Sequence, residues 1–190
     1  NPRKRVGLDF EKLLLRALVA VPGTAVLLDR GLGTDEEERS ALLVADARES
    51  GVRGFETAFA DDWPAVGHGV IAVACGIGEM AALISHSDEY LGYDSACQHI
   101  AAAAGTPTLT VFAGSNNKNF VRRWSACGDT DCRIVHVNTL TDAEHVAVDE
   151  IVSRIMQERA TRDRKAAKSR YREVRPARRA GEPTQEKAGR

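Results

Sequence analysis

The chain has 190 residues, 43% of them hydrophobic and 28% charged, and its formal net charge is −1. That suits one globular domain with a substantial core, and no apolar run approaches the roughly 20 residues that would span a bilayer. The charge is uneven: from Thr161 onward eleven Lys or Arg stand against four Asp or Glu, a net +7, so the first 160 residues carry −8. An acidic globule followed by a basic tail is the reading.

In chain order, the opening NPRKRV lacks both Met and the apolar centre of a secretory signal, so the chain reads as a piece that begins inside a larger protein. Residues Leu8 to Val19 place Phe10, Leu13, Leu14, Ala17 and Leu18 at helical spacing, and Pro22-Gly23 ends that helix. Ala25 to Leu28 reads as a short buried strand. A glycine-bearing loop leads to a helix from Asp35 to about Ser50, with Thr34 or Asp35 as cap and an acidic first turn suited to the positive helix end. Val52 to Gly69 reads as irregular, broken at Trp63-Pro64. Val70 to Ala74 fits a strand or the lead into the next helix, EMAALISHS. Glu89 to Tyr93 reads as a strand, Ala96 to Ala104 as a small-residue helix stopped by Gly105-Thr106-Pro107, and Thr108 to Phe112 as a strand. Then come a loop (SNNKNFVRRWSACG), a strand near Arg133 to Val137, and a helix from about Asp142 to Arg159 that extends partway into the tail. Past Pro176 the composition is that of a disordered segment. Alternating strands and helices are the pattern of an open parallel α/β sheet.

The strand-helix-strand unit around Asp88 to Gly114 carries the main site candidates. Ligands of such sheets bind beyond the carboxyl ends of the strands, where Asp94, Ser95, Ser115 and Asn116 would lie, and an anion suits the helix start. In Asp94-Ser95-(x)3-His99 the histidine lies one turn inside the helix, on the face of Ser95. Asp94 and Ser95 could equally do no more than cap the helix, and His99 could be a core histidine. The loop Gly31-Leu32-Gly33 resembles a phosphate turn but lacks the third glycine of the dinucleotide fingerprint; its carboxylates, Glu36 and Glu37 among them, favour sugar hydroxyls or a solvated first turn. Lys4, beside Arg5, could meet a phosphate as a point charge or remain a surface lysine.

Cys75, Cys97, Cys127 and Cys132 are too few and scattered for a disulfide scaffold, and the reducing cytosol fits them best. Cys127 and Cys132 flank GDTD, but a zinc site would want two more ligands nearby, so no metal is expected. The tail holds one aromatic, Tyr171, and so no stacking platform for nucleic acid. A solvated extension, or contact with an anionic membrane face, fits it better.

These pieces resemble the C-terminal, donor-binding half of the heptosyltransferase family, the ninth glycosyltransferase family. The stretch DEYLGYDSACQHIAAAAGTPTLTVFAG is similar to that family's strand, Asp-Ser/Thr-Gly-x-x-His, Ala-rich helix, Gly-x-Pro and strand. GLGTDEEERS resembles its Gly-x-x-x-Glu-Glu-x-Arg segment, and Lys4 stands before Phe10 much as a family lysine stands before an aromatic. The resemblance implies a Rossmann-like C-terminal half of a GT-B glycosyltransferase over residues 1–160, incomplete at its N-terminus, with 161–190 as a basic helical or disordered tail. It also implies transfer from a nucleotide-sugar donor (ADP-heptose in the family) to a lipopolysaccharide-type acceptor without a required cofactor or metal. By the same resemblance, Asp94 holds donor-sugar hydroxyls, and Ser95 with the N–H groups of Ala96 and Cys97 meets the diphosphate. His99 supports that turn, Glu36 or Glu37 takes the ribose, and Lys4 steadies phosphate charge. Ala96 stands where the family has Gly, which limits how closely the backbone approaches a phosphate. The acceptor site and general base would belong to an N-terminal domain outside this chain, as would the first strand of the C-terminal half, so the chain alone is expected to be inactive. The implied location is cytoplasmic, peripheral to the inner membrane through the tail. A sugar-nucleotide epimerase half and a non-catalytic nucleotide-sugar sensor are the alternative readings.

Overall fold

The structure, a computed structural model, describes residues 2–140 and 146–174. A 3-10 turn, Pro2–Lys4, leads into α1 (Leu8–Val19), β1 (Ala25–Asp29), α2 (Thr34–Glu49), β2 (Gly54–Ala58), β3 (Gly69–Ala74), α3 (Ile77–Ser85) and β4 (Tyr90–Tyr93). There follow α4 (Ala96–Ala103), β5 (Thr108–Phe112), α5 (Lys118–Trp124), β6 (Cys132–His136) and α6 (Val148–Val174). All strand pairing is parallel, as expected of strands joined through helices. The open parallel α/β architecture therefore holds, but the strands fall into two three-stranded sheets, ordered β1-β3-β2 and β4-β5-β6.

One helix serves both sheets. Phe10, Leu14 and Leu18 of α1 pack with Leu109, Val111, Val135, Val152 and Ile155, while Leu15 and Val19 pack with Leu43, Val44, Val70 and Ala72. An apolar stripe broad enough to span two cores is what the run LLLRALV supplies. Val26 of β1 touches both clusters, which brings the first sheet against the second. Arg16 and Lys12 of α1 reach Asp46 of α2, and Arg159 and Arg162 of α6 pair with Glu89 just before β4.

Several expectations need correction. Residues 54–58 are not irregular but form β2, which pairs with β3 along its whole length; its GFETA is short and half polar, so only a partner strand makes it legible. Residues 70–74 belong to a strand, β3, buried through most of its length between β1 and β2. The loop after β5 contains α5, whose Asn117 side chain accepts from the N–H groups of Asn119 and Phe120; seven residues are too few for periodicity to show. The last helix begins at Val148 and runs on to Val174, past Arg159. The expected start at Asp142 and the segment past Pro176 lie outside the described residues. The α2 cap is Gly33 rather than Thr34 or Asp35.

Candidate functional site

The segment after the N-terminal turn crosses the carboxyl ends of the strands and touches both sheets. The backbone of Arg3 lies against Gly114, just beyond β5. Lys4 Nζ is 2.6 Å from Asp94 Oδ2, Arg5 donates to Glu36 Oε1 at 2.7 Å, and the Val6 N–H donates to the Tyr93 hydroxyl at 3.2 Å. Two adjacent cations thus bind two carboxylates, one in α2 and one in the turn after β4, that lie 58 positions apart in sequence. Of the residues singled out from sequence, Lys4 and Asp94 are in direct contact, and Glu36 is joined to them through Arg5.

Asp94 follows β4, and Ser95 is the N-cap of α4 in extended conformation, with no cap hydrogen bond from its side chain. The Ser95 hydroxyl instead lies 3.3 Å from that of Tyr90. The start of α4 is therefore not sealed by its own side chains: Ser95 and Ala96 are exposed, and the helix presents its first N–H groups outward. The Asp94 side chain is 9% exposed and is held from two sides, by Lys4 on Oδ2 and by Gln98 Nε2 on Oδ1 at 2.9 Å.

Glu36 is the half-buried member of its acidic run and Glu37 is exposed. The second Glu36 oxygen accepts from the Leu32 N–H at 3.3 Å and folds over Gly31, whose φ of 74° and lack of Cβ leave room for it. Asp29, at the end of β1, accepts from the Gly31 N–H at 2.8 Å. Its charge also reaches the second sheet: burial pushes the Tyr90 hydroxyl up to about 12 and raises the Cys97 thiol, and Asp29 adds to both. Cys97 is half-buried and its thiol is protonated at neutral pH, so the residue offers its backbone rather than a thiolate.

His99 is exposed on α4, and the hydrogen bond inside the turn comes from its neighbour Gln98. Sequence reading overlooked Gln98. The available signal was its position four residues after Asp94, where side chains share a helix face. In the sequence Arg5 stands out only as a neighbour of Lys4, and no local signal ties it to Glu36, 31 positions away. Hollows of about 440 and 420 Å³ lie away from these residues, one beside Ala102 to Gly105 and Gly128, the other beside Val135 to Asn138 and Ile151.

Chemically, this edge combines outward N–H groups, one ammonium, and two oriented carboxylates. The first two suit an anion such as a diphosphate, and the carboxylates suit hydroxyl donors. No helix among the described residues is long and apolar enough to cross a membrane.

Comparison with known proteins adds a family. The pattern described as "Glycosyltransferase family 9 (heptosyltransferase)" matches residues 69–143, which hold β3 to β6 and the Asp94 turn. The chain is similar to "Lipopolysaccharide heptosyltransferase 3" of Escherichia coli, 47% identical over 47 residues. That alignment covers 25% of this chain and only 14% of the curated relative. No solved structure matches.

Proposed function

We propose, from the match of residues 69–143 to the glycosyltransferase family 9 (heptosyltransferase) pattern, that this chain is the donor half of a sugar transferase. It binds a nucleotide-sugar of the ADP-heptose type for delivery to a lipopolysaccharide-type acceptor. The observation that carries the reading is that adjacent residues of the N-terminal segment hold both carboxylates, Lys4 holding Asp94 beside α4 and Arg5 holding Glu36 of α2. In this reading the diphosphate lies on the Ala96 and Cys97 N–H groups with the Ser95 hydroxyl. Asp94 receives hydroxyls of the transferred sugar, and Glu36 rather than the exposed Glu37 receives those of the ribose.

Lys4 supplies the step its charge. As the bond from sugar to diphosphate breaks, negative charge grows on the leaving phosphate, and an ammonium and helix N–H groups already in place stabilise it without reorganisation. In this reading the residues of this chain serve the donor, and neither the acceptor hydroxyl nor the base that takes its proton is assigned to them.

Calorimetric titration with ADP-heptose tests this. The wild-type chain should bind it more tightly than ADP, and Asp94→Asn should weaken binding by about 1.5–3 kcal/mol, the range for hydrogen bonds to a charged group. Equal affinity of the two proteins would remove Asp94 from the site.

A further inference from the structure

We infer that Gln98 is a positioning residue for Asp94, and that its carboxamide sets the sugar preference of the site from inside the fold. The inference rests on the donor-site reading above. Gln98 is completely buried on α4, at 0% exposure. Its Nε2 donates to Asp94 Oδ1 at 2.9 Å and to the Trp124 carbonyl at 3.2 Å, while its Oε1 accepts from the Ala126 N–H at 3.3 Å. These partners fix the orientation of the amide: turned over, it would set its oxygen against a carboxylate and a carbonyl.

A buried amide is costly unless its hydrogen bonds are met, and α4 is otherwise made of small apolar residues on its covered side, Ala101 and Ala102. An apolar side chain would serve packing alone at position 98. The amide adds a fixed point, because it ties Asp94 to the end of α5 and the turn that follows. With Oδ1 on Gln98 and Oδ2 on Lys4, the carboxylate plane cannot rotate, and the lone pairs left over point in set directions. Directional acceptors select hydroxyls by position. In the donor-site reading a diphosphate is met by Lys4 and the N–H groups of Ala96 and Cys97, whereas the Gln98 side chain bonds to Asp94, Trp124 and Ala126. Gln98 therefore governs recognition of the sugar and not of the nucleotide.

The test is Gln98→Met, which keeps length and removes the amide, titrated with ADP-heptose and with ADP. The preference for ADP-heptose over ADP should fall by about tenfold, the worth of one hydrogen bond to a charged group, while ADP affinity stays within about twofold. Loss of both affinities in parallel, or an unchanged preference, overturns the inference. Should the variant fail to fold, the side-chain NH2 signals of Gln98 in the wild-type chain supply the second measurement. They should move when ADP-heptose is added and stay in place with ADP; an identical response to both ligands also overturns it. A wild-type chain without preference for ADP-heptose sinks the donor reading and this inference with it, whereas a preference that survives in Gln98→Met sinks this inference alone.

Discussion

Gly114 holds the N-terminal segment against the sheet. Its φ is 75°, and a Cβ there would come within 2.0 Å of the Arg3 carbonyl oxygen. Both the backbone conformation and the close approach need glycine. Lys4, the next residue along, owes its place on Asp94 to this contact. Gly114→Ala should therefore cost about 1–3 kcal/mol of stability through strain and steric clash. It should also weaken ADP-heptose binding, because Lys4 is pushed off its partner. Thermal unfolding and titration check the two effects, and a variant with wild-type values in both would show that the segment is not held there.

At the scale of elements, α1 and α2 are joined through one carboxylate. The Asp46 side chain is 6% exposed under Arg16, which donates two hydrogen bonds to it at 2.7 and 2.8 Å, with Lys12 at 3.7 Å. The Arg16 side chain is itself 51% exposed, so solvent screens part of the attraction. The hydrogen bonds from Arg16, helped by the charges of Arg16 and Lys12, hold the Asp46 carboxyl below the usual carboxylate range against the opposing effect of burial. A depressed folded-state pKa means that the unfolded chain binds the proton first. The stabilisation is thus complete above the unfolded value of about 3.9 and is lost as pH falls through the lower folded value. Urea unfolding followed from pH 6 downward should show a loss of stability below about pH 4 that is smaller in Asp46→Asn. Identical pH profiles would mean that the α1–α2 ion pair contributes nothing. The other elements around the site are tied by hydrogen bonds of long sequence span, such as Thr106 Oγ1 to the Ile84 carbonyl at 2.9 Å, which fixes the end of α3 beside the turn after α4.

At the scale of the molecule, two sheets depend on one helix. The outermost strands carry charge on their edges, Glu56 in β2 and Arg133 in β6. The strands that end each sheet on the other side, β1 with AVLLD and β4 with YLGY, are apolar along nearly all their length. Charged edges resist further pairing; β1 and β4 share no ladder, so the two halves are held together by α1, by Val26 against both cores and by the Lys4 and Arg5 pairs. Leu14→Ala empties a place in one core and Leu15→Ala in the other, each at about 2–5 kcal/mol. Because both residues lie on α1, either change should lower the stability of both halves. Trp63, after β2, and Trp124, at the end of α5, report the halves separately when each is the single tryptophan. Coincident shifts of both transitions are expected in denaturant, and a shift confined to one reporter would show that the halves unfold independently.

The α1 stripe, the strand-helix-strand unit at Asp94 and the exposed start of α4 were legible in the residues themselves. Their signals are local: apolar spacing, small residues, and Gly or Pro stops act between neighbours in the chain. The likeness to glycosyltransferase family 9 also falls on this stretch, within residues 69–143. What packing alone decided is partnership at a distance. Lys4 meets Asp94 across 90 positions, Gln98 meets Trp124 across 26, and Glu36 meets Arg5 across 31. The division into two sheets, and β2 within the first, likewise depend on which strands find one another. Such choices rest on the direction a side chain takes once helices are seated on strands, and no span of sequence shorter than the fold encodes that direction.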